Sequence, residues 1–137
     1  MKYRVPKESN KYYLPKQTYM TAIYYAQQYD SWHQELEAMG SVIQGIDYSK
    51  DRVQTSGTSD STSELAMRRE KIESKIRMVD DIIHQICRGN KAMEKYIRLG
   101  VCYGLTFWQL EAQKIPCGKD MYYKLRQQFY FELSKKI

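Results

Sequence analysis

The part of the chain whose residue types most suggest chemistry is its last stretch, IPCGKDMYYKLRQQFYFEL, residues 115–133. It combines lysine, arginine, glutamine and tyrosine at helical spacing. Lysine and arginine can contact phosphates or guanine edges, glutamine can pair with adenine, and a tyrosine hydroxyl can donate to a phosphate. Together these residue types favour contact with a nucleic acid over chemistry on a small substrate.

These residues divide between two faces of one helix if that helix begins near Gly118. Pro116 stops any preceding helix, since proline lacks an amide hydrogen and disfavours helical geometry in the residue before it. The spacing then predicts an inward stripe of Met121, Tyr122, Leu125, Phe129 and Leu133. We expect the helix 118–134 to carry its DNA-binding residues on the other side, namely Lys119, Tyr123, Lys124, Arg126, Gln127 and Tyr130.

A shorter helix should precede this one. Thr106 can cap it and Gln109 can return a hydrogen bond, which is the capping-box pattern, and the helix should run to about Gln113. A short helix, a tight turn and a second helix with a basic outer face make a helix-turn-helix, whose second helix enters the major groove. The alternative is a solvated amphipathic helix that covers a bundle, and Asp120 near the helix start would repel phosphate.

The charge of the chain agrees with contact to a polyanion. The formal net charge is +6 and the pI is near 9.1, values that many ordinary proteins share. From Lys114 onward there are six basic residues against two acidic ones, a local balance of +4. Most of the excess charge therefore lies in the last stretch.

The elements that must position this surface are also helical in pattern. A helix is predicted over 15–28, where Tyr19, Ile23 and Ala26 recur at spacings of three and four. Asp30 can cap a second helix with a matching apolar stripe. We expect these two helices to form an N-terminal hairpin over residues 1–45.

A flexible linker and a long helix should follow the hairpin. Residues 46–62 are rich in Ser, Thr, Asp and Gly and predict a linker. Ser63 can cap a helix over 63–88, and its apolar residues alternate at spacings of three and four. That stripe predicts either a homo-oligomer through this helix or packing on the chain's own core. A further short helix is expected over 91–99, so the predicted fold is all-α, with a DNA-binding domain over 63–137.

Neither the histidines nor the cysteines indicate an enzyme. His33 and His84 lie on different predicted helices, and no phosphate-cradling glycine loop is present. The three cysteines lack CxxC spacing, which favours a reducing, cytoplasmic location over a disulfide framework or zinc knuckle. The start of a helix can lower the pKa of a thiol such as Cys117, but the simpler interpretation is a packed or capping thiol. We expect no catalytic residues, no metal, no cofactor and no membrane span.

Three segments resemble a known family: LPKQTYMTAIYYAQQYDSWHQEL, ELAMRREKIESKI after the Ser/Thr-rich stretch, and IPCGKDMYYKLRQQFYFELSKKI. They look like the RinA/ArpU-like transcriptional regulators of phages and mobile elements of Gram-positive bacteria, whose C-terminal part is similar to region 4 of sigma-70 factors. Lys119, Tyr122, Tyr123 and Arg126 match that family's basic and aromatic helix. Members of the family carry a fuller arginine run where this chain has KLRQQ, so its affinity for phosphate or its preferred site would differ.

The resemblance implies a regulator of phage late or packaging genes with a terminal helix-turn-helix as its DNA reader. The expected function is therefore sequence-specific binding of double-stranded DNA in transcription regulation. RNA polymerase is a further expected partner. The alternative is a helical interaction module that binds RNA polymerase or a packaging component without touching DNA.

Overall fold

The computed structural model describes residues 9, 11–45 and 56–137, with side chains described outside 41–45 and 56–62. Within these residues the chain forms α-helices and no strand, which confirms the predicted all-α class. The helices are α1 Lys16–Ala26, α2 Tyr29–Gly45, α3 Ser56–Cys87, α4 Lys91–Tyr103, α5 Phe107–Ala112 and α6 Lys119–Ser134. None of them is long and apolar enough to cross a membrane.

The first two helices begin close to the predicted positions, but Asp30 does not cap the second one. Pro15 occupies the N-cap of α1, where its fixed φ of −56° leads the chain into the helix. The second helix begins at Tyr29, so Asp30 lies in its first turn and not before it. Its carboxylate accepts a hydrogen bond from the side chain of Gln34 at 2.9 Å.

The long helix α3 begins at Ser56, so the predicted start at Ser63 was wrong. Serine and threonine cost little per residue in a helix, and extending an existing helix requires no new nucleus. Residues 56–62 of the predicted linker are therefore helical, and residues 46–55 lie outside the described part. The apolar stripe of α3 is buried within this chain at Ile72, Ile76, Val79, Ile83 and Ile86. Packing on the chain's own core thus accounts for the stripe, and self-association through 63–88 stays a prediction.

The described residues fall into two compact units, whose limits differ from the predicted division into 1–45, 46–62 and 63–137. One unit comprises Met1–Tyr29, as far as it is described, together with Val79–Ile137. The other is Asp30–Met78. In this second unit Trp32, Met39, Ile72 and Ile76 are buried, and the Lys75 ammonium lies 5.9 Å from the centre of the Trp32 ring.

The unit that contains the C-terminal helix is built around aromatic side chains. Helix α6 packs against α1 and α4, and α4 also packs against α1 and α5. Tyr19, Tyr122 and Phe129 are fully buried between these helices. Aromatic rings bury a large area and pair edge to face, so part of the chain's high tyrosine content is core and not surface.

A carboxylate joins three helices of the same unit. Asp80 in α3 accepts a hydrogen bond from the Tyr29 hydroxyl at 2.9 Å and two from the Arg98 guanidinium at 3.1 and 2.9 Å. Burial and the adjacent Asp80 carboxylate raise the pKa of Tyr29. Asp80 therefore fixes α3 to α4 and to the start of α2.

Candidate nucleic-acid interface

The short helix α5 begins with the predicted capping box. The Thr106 hydroxyl accepts a hydrogen bond from the backbone amide of Gln109 at 3.3 Å. In return, the side-chain oxygen of Gln109 accepts one from the backbone amide of Thr106 at 2.8 Å. Phe107 and Leu110 turn inward from this helix and are buried. The cap therefore fixes where α5 starts and which side of it faces the core.

The connection between α5 and α6, residues 113–118, is held to α5 and to α4. The Ile115 amide donates to the Leu110 carbonyl at 3.1 Å, and the Ile115 side chain is buried. The Tyr96 hydroxyl of α4 donates to the Gln113 carbonyl at 2.7 Å. Gly118 is the N-cap of α6, as predicted. This connection is longer than the three or four residues usual for the motif, so the helix-turn-helix arrangement stays a prediction.

The inward face of α6 was predicted correctly at four of its five positions. Tyr122, Leu125, Phe129 and Leu133 are buried. Met121 is 57% exposed, so its predicted inward position was wrong. Successive residues of an α-helix point about 100° apart, and Tyr122 occupies the core side in place of Met121.

Tyr130 was predicted to face outward and is buried, with 4% of its surface exposed. Its ring packs edge to face against Tyr19 of α1 and against Phe129, with centroids 5.3 and 5.5 Å apart. Helix α1 covers this side of α6, and the sequence of α6 alone carries no signal of that. Tyr130 is therefore not placed to contact DNA.

The other predicted site residues differ in how far they reach solvent. Lys119 and Lys124 are exposed, whereas Tyr123 and Gln127 are half-exposed. Arg126 is half-buried and its Nε atom is enclosed. The accessible part of the predicted surface thus lies between Lys119 and Gln127.

A row of cations and rings links α5 with this part of α6. The Lys119 ammonium lies 5.4 Å from the centre of the Trp108 ring, and the rings of Trp108 and Phe107 are 5.8 Å apart. Phe107 is 6.4 Å from Tyr123, whose ring lies 4.8 Å from the Arg126 guanidinium carbon. Such cation–ring contacts hold long basic side chains in place.

Trp108 is a surface residue that the sequence-based interpretation missed. Its side chain is 64% exposed, the largest exposure among the large hydrophobic residues described. The inward pair Phe107 and Leu110, spaced by three, could have indicated it, because Trp108 then lies outside that stripe. It adds an aromatic group to the basic surface beside Lys119.

Arg126 lies among tyrosines. Burial acts to lower the pKa of Arg126, but its interactions with Tyr19, Tyr130 and Tyr122 outweigh burial and raise it. Burial raises the pKa of Tyr19 and of Tyr122, and the positive charge of Arg126 partly offsets both shifts. Arg126 is therefore a fixed positive charge within a largely uncharged aromatic cluster.

The cysteines have the properties of packed thiols. Burial raises the pKa of Cys117, so a lowered pKa at the start of α6 is not observed. Burial also raises the pKa of Cys87 to about 11 and that of Cys102 to about 12. Among the described residues no group of three or more His, Cys, Asp or Glu side chains could hold a metal ion.

No family model, curated protein or solved structure matches this chain. The likeness to the RinA/ArpU-like regulators stays a prediction.

Proposed function

We propose that this protein binds double-stranded DNA through the first half of α6 and regulates transcription, in the manner of the RinA/ArpU-like regulators that its sequence resembles. The observation that carries the proposal is the exposure of Lys119 and Lys124 on a helix that α1 and α4 hold against the core. A rigidly held helix with exposed cations can enter a groove without first having to fold.

The position of the exposed residues within α6 supports this use. In helix-turn-helix proteins, residues near the N-terminus of the recognition helix contact base edges. Lys119, Tyr123 and Lys124 lie in the first half of α6, Gln127 comes directly after it, and Tyr130, farther along, is buried. The proposed DNA surface is therefore smaller than the sequence alone suggested.

Each of these side chains has a distinct role in the proposal. Lys119 and Lys124 neutralise backbone phosphates, which makes the affinity depend on salt. Gln127 can form two hydrogen bonds with adenine, and Tyr123 can donate its hydroxyl to a phosphate. Asp120 is exposed in the first turn, where it repels phosphate but can accept from the amino group of cytosine.

One observation favours a second candidate, a surface that binds another protein. Trp108 and Met121 are exposed by 64% and 57%, and aromatic residues and methionine are enriched in protein interfaces. RNA polymerase or a packaging component would be the partner, as the family resemblance suggests. In that case α6 would carry apolar contacts, and its lysines would contribute little.

Selection of bound fragments from random double-stranded DNA separates the two candidates. The wild type should enrich one sequence motif, and the Lys119→Ala/Lys124→Ala variant should enrich none because its phosphate contacts are lost. The Trp108→Ala/Met121→Ala variant should keep the same motif. Absence of any motif with the wild type, together with capture of RNA polymerase that depends on Trp108 and Met121, would favour the protein-binding candidate.

A further inference from the structure

The exposed tryptophan of α5 lies beside the proposed DNA surface of α6. The Trp108 side chain is 64% exposed, whereas Phe107 and Leu110 of the same short helix are buried. The other tryptophan of the chain, Trp32, is buried as well. Exposure alone assigns no role, because single apolar side chains are common on protein surfaces. The groups that surround the Trp108 ring decide what it can bind.

The Trp108 ring is held in place before any partner binds. The capping box of Thr106 and Gln109 fixes the first turn of α5, in which Trp108 lies. The ring of the buried Phe107 packs edge to face against it, with the centroids 5.8 Å apart. The Lys119 ammonium of α6 lies 5.4 Å from the ring centre. A side chain that is already ordered loses little conformational freedom when it binds.

The charges near the ring favour an anionic partner on the side of α6. Lys119 brings a positive charge to the ring itself, and Lys124, farther along α6, is exposed. Glu111 is exposed three residues after Trp108, on the same side of α5, and repels phosphate. A polyanion can therefore contact the surface that extends from Trp108 toward α6, and Glu111 limits that surface along α5.

The chemistry of the indole fits the backbone of DNA. An indole offers one N–H donor, no acceptor and a large apolar ring. The DNA backbone offers phosphate oxygens that accept hydrogen bonds and sugars on which a ring can pack. An apolar protein surface over Trp108 would instead remove the Lys119 ammonium from water without an opposite charge, which is costly. A phosphate supplies that charge.

We propose that Trp108 contacts the sugar–phosphate backbone of DNA, next to the phosphate that Lys119 neutralises. Its ring packs on a deoxyribose, and its indole N–H donates to a phosphate oxygen. This inference rests on the proposed function and extends the DNA surface from α6 to α5. Because backbone contacts carry no sequence information, Trp108 adds affinity and does not select the site.

Tryptophan fluorescence of the intact chain tests the contact. Trp32→Phe leaves Trp108 as the sole tryptophan, and Trp108→Phe leaves Trp32. Acrylamide, a neutral quencher, should quench Trp108 strongly in the protein alone and less when the selected duplex is bound. It should quench the buried Trp32 weakly in both states. If Trp32→Phe does not fold, the difference between the wild type and Trp108→Phe gives the Trp108 signal, because Trp108 is exposed and its replacement leaves the core intact.

Affinity for the selected duplex gives a second measurement. Trp108→Phe keeps a ring but loses the indole N–H, so it should bind roughly tenfold more weakly, the effect of losing a hydrogen bond to a charged group. Trp108→Ala should lose at least as much. The matched control Tyr24→Ala removes an exposed ring from α1 and should bind the duplex like the wild type.

The dependence of affinity on salt separates direct contact from an effect through Lys119. Indole carries no charge, so Trp108→Ala should weaken binding without changing the slope of log affinity against log salt. If Trp108 only holds Lys119 in place, its loss should reduce the magnitude of the slope by about 0.9, as the loss of one phosphate contact does. That result would overturn the direct contact.

The same measurements distinguish failure of this inference from failure of the proposed function. If the wild type binds the duplex but acrylamide quenches Trp108 equally with and without it, the ring does not touch DNA. Wild-type affinity in both Trp108→Phe and Trp108→Ala would lead to the same conclusion. In these cases only the contact at Trp108 fails. If the wild type binds no duplex, DNA binding by α6 fails and the contact fails with it.

Discussion

The rings of Tyr19 and Tyr130 meet edge to face with their centroids 5.3 Å apart, and this contact joins α1 to α6. Because α1 covers α6 at Tyr130, Lys119 and Lys124 remain exposed on α6 whereas Tyr130 does not. The contact therefore decides which residues of the C-terminal helix are available to a ligand.

Replacing Tyr130 tests whether it belongs to the core. Tyr130→Ala should lower the free energy of unfolding by about 3–5 kcal/mol, the usual cost of removing a buried aromatic ring. Tyr130→Phe keeps the ring and should bind DNA as the wild type does. Urea unfolding and a DNA-binding titration measure the two effects. An outward Tyr130 would give the opposite pattern, with stability kept in the alanine variant and DNA affinity reduced in the phenylalanine variant.

Two glycines on helices should respond differently to alanine. Gly40→Ala meets no atom within 4 Å, so it should stabilise the protein by about 0.5–1 kcal/mol through lower backbone entropy. Gly100→Ala would overlap the Tyr122 hydroxyl and should instead destabilise by about 1–3 kcal/mol. Urea unfolding of both variants gives the comparison.

A double variant shows whether overlap with the Tyr122 hydroxyl causes the loss of stability in Gly100→Ala. Adding Tyr122→Phe to Gly100→Ala removes the nearest atom and should recover part of the loss. Recovery stays incomplete because other atoms of the ring lie 3.0 and 3.2 Å from the added Cβ. Strictly additive effects of the two substitutions would show that Tyr122 does not lie against Gly100.

Stability should decline in alkali because thiols are buried. In the unfolded chain a cysteine ionises near its ordinary pKa of 9.0, whereas burial raises the pKa of Cys102 to about 12 in the folded protein. The stabilisation is complete below pH 9 and is lost as the pH rises from 9 toward 12. From pH 9 to about pH 10.5, Cys102 should account for a loss of about 1.5 kcal/mol.

Urea unfolding across this pH range checks whether stability falls as the pH rises and whether Cys102 causes the fall. Cys102→Ala should lose less stability than the wild type as the pH rises, whatever its stability at neutral pH. Some decline should remain, because burial also raises the pKa of Cys87 and Tyr19. Parallel curves for the wild type and Cys102→Ala would mean that this thiol is not buried.

The features that the sequence predicted well depend on neighbouring residues along the chain. The Thr106 and Gln109 capping box formed as expected because both partners lie within one turn. Pro116 and Gly118 also indicated the end of one helix and the start of the next, since their backbone preferences are local. The apolar spacing of α6 placed Tyr122 and Phe129 in the core for the same reason.

The features that the sequence did not reveal depend on contacts between distant segments. Nothing near Tyr130 indicates that Tyr19 packs on it, because the pairing depends on how α1 meets α6. The start of α3 at Ser56 was missed because a stretch rich in serine and threonine is typical of a linker. A helix that has already formed in the following residues can nevertheless extend into such a stretch. The grouping of Arg126 with Tyr19 and Tyr122 was missed because it too requires the packing of two helices.

The most direct test of DNA binding by α6 compares two double alanine variants that remove the same amount of positive charge from different helices. Lys119 and Lys124 lie on α6, whereas Lys91 and Lys95 lie on α4. Each lysine that contacts a phosphate contributes about 0.9 to the slope of log affinity against log salt. We therefore measure the affinity for the selected duplex at several salt concentrations in the wild type and in both double alanine variants.

The proposal predicts that Lys119→Ala/Lys124→Ala weakens binding and reduces the magnitude of the salt slope by about 2. Lys91→Ala/Lys95→Ala should leave both values unchanged, although it removes the same charge. Circular dichroism should show that both variants keep the helical fold. Equal losses of affinity in the two variants, or an unchanged salt slope in Lys119→Ala/Lys124→Ala, would contradict DNA binding by the first half of α6.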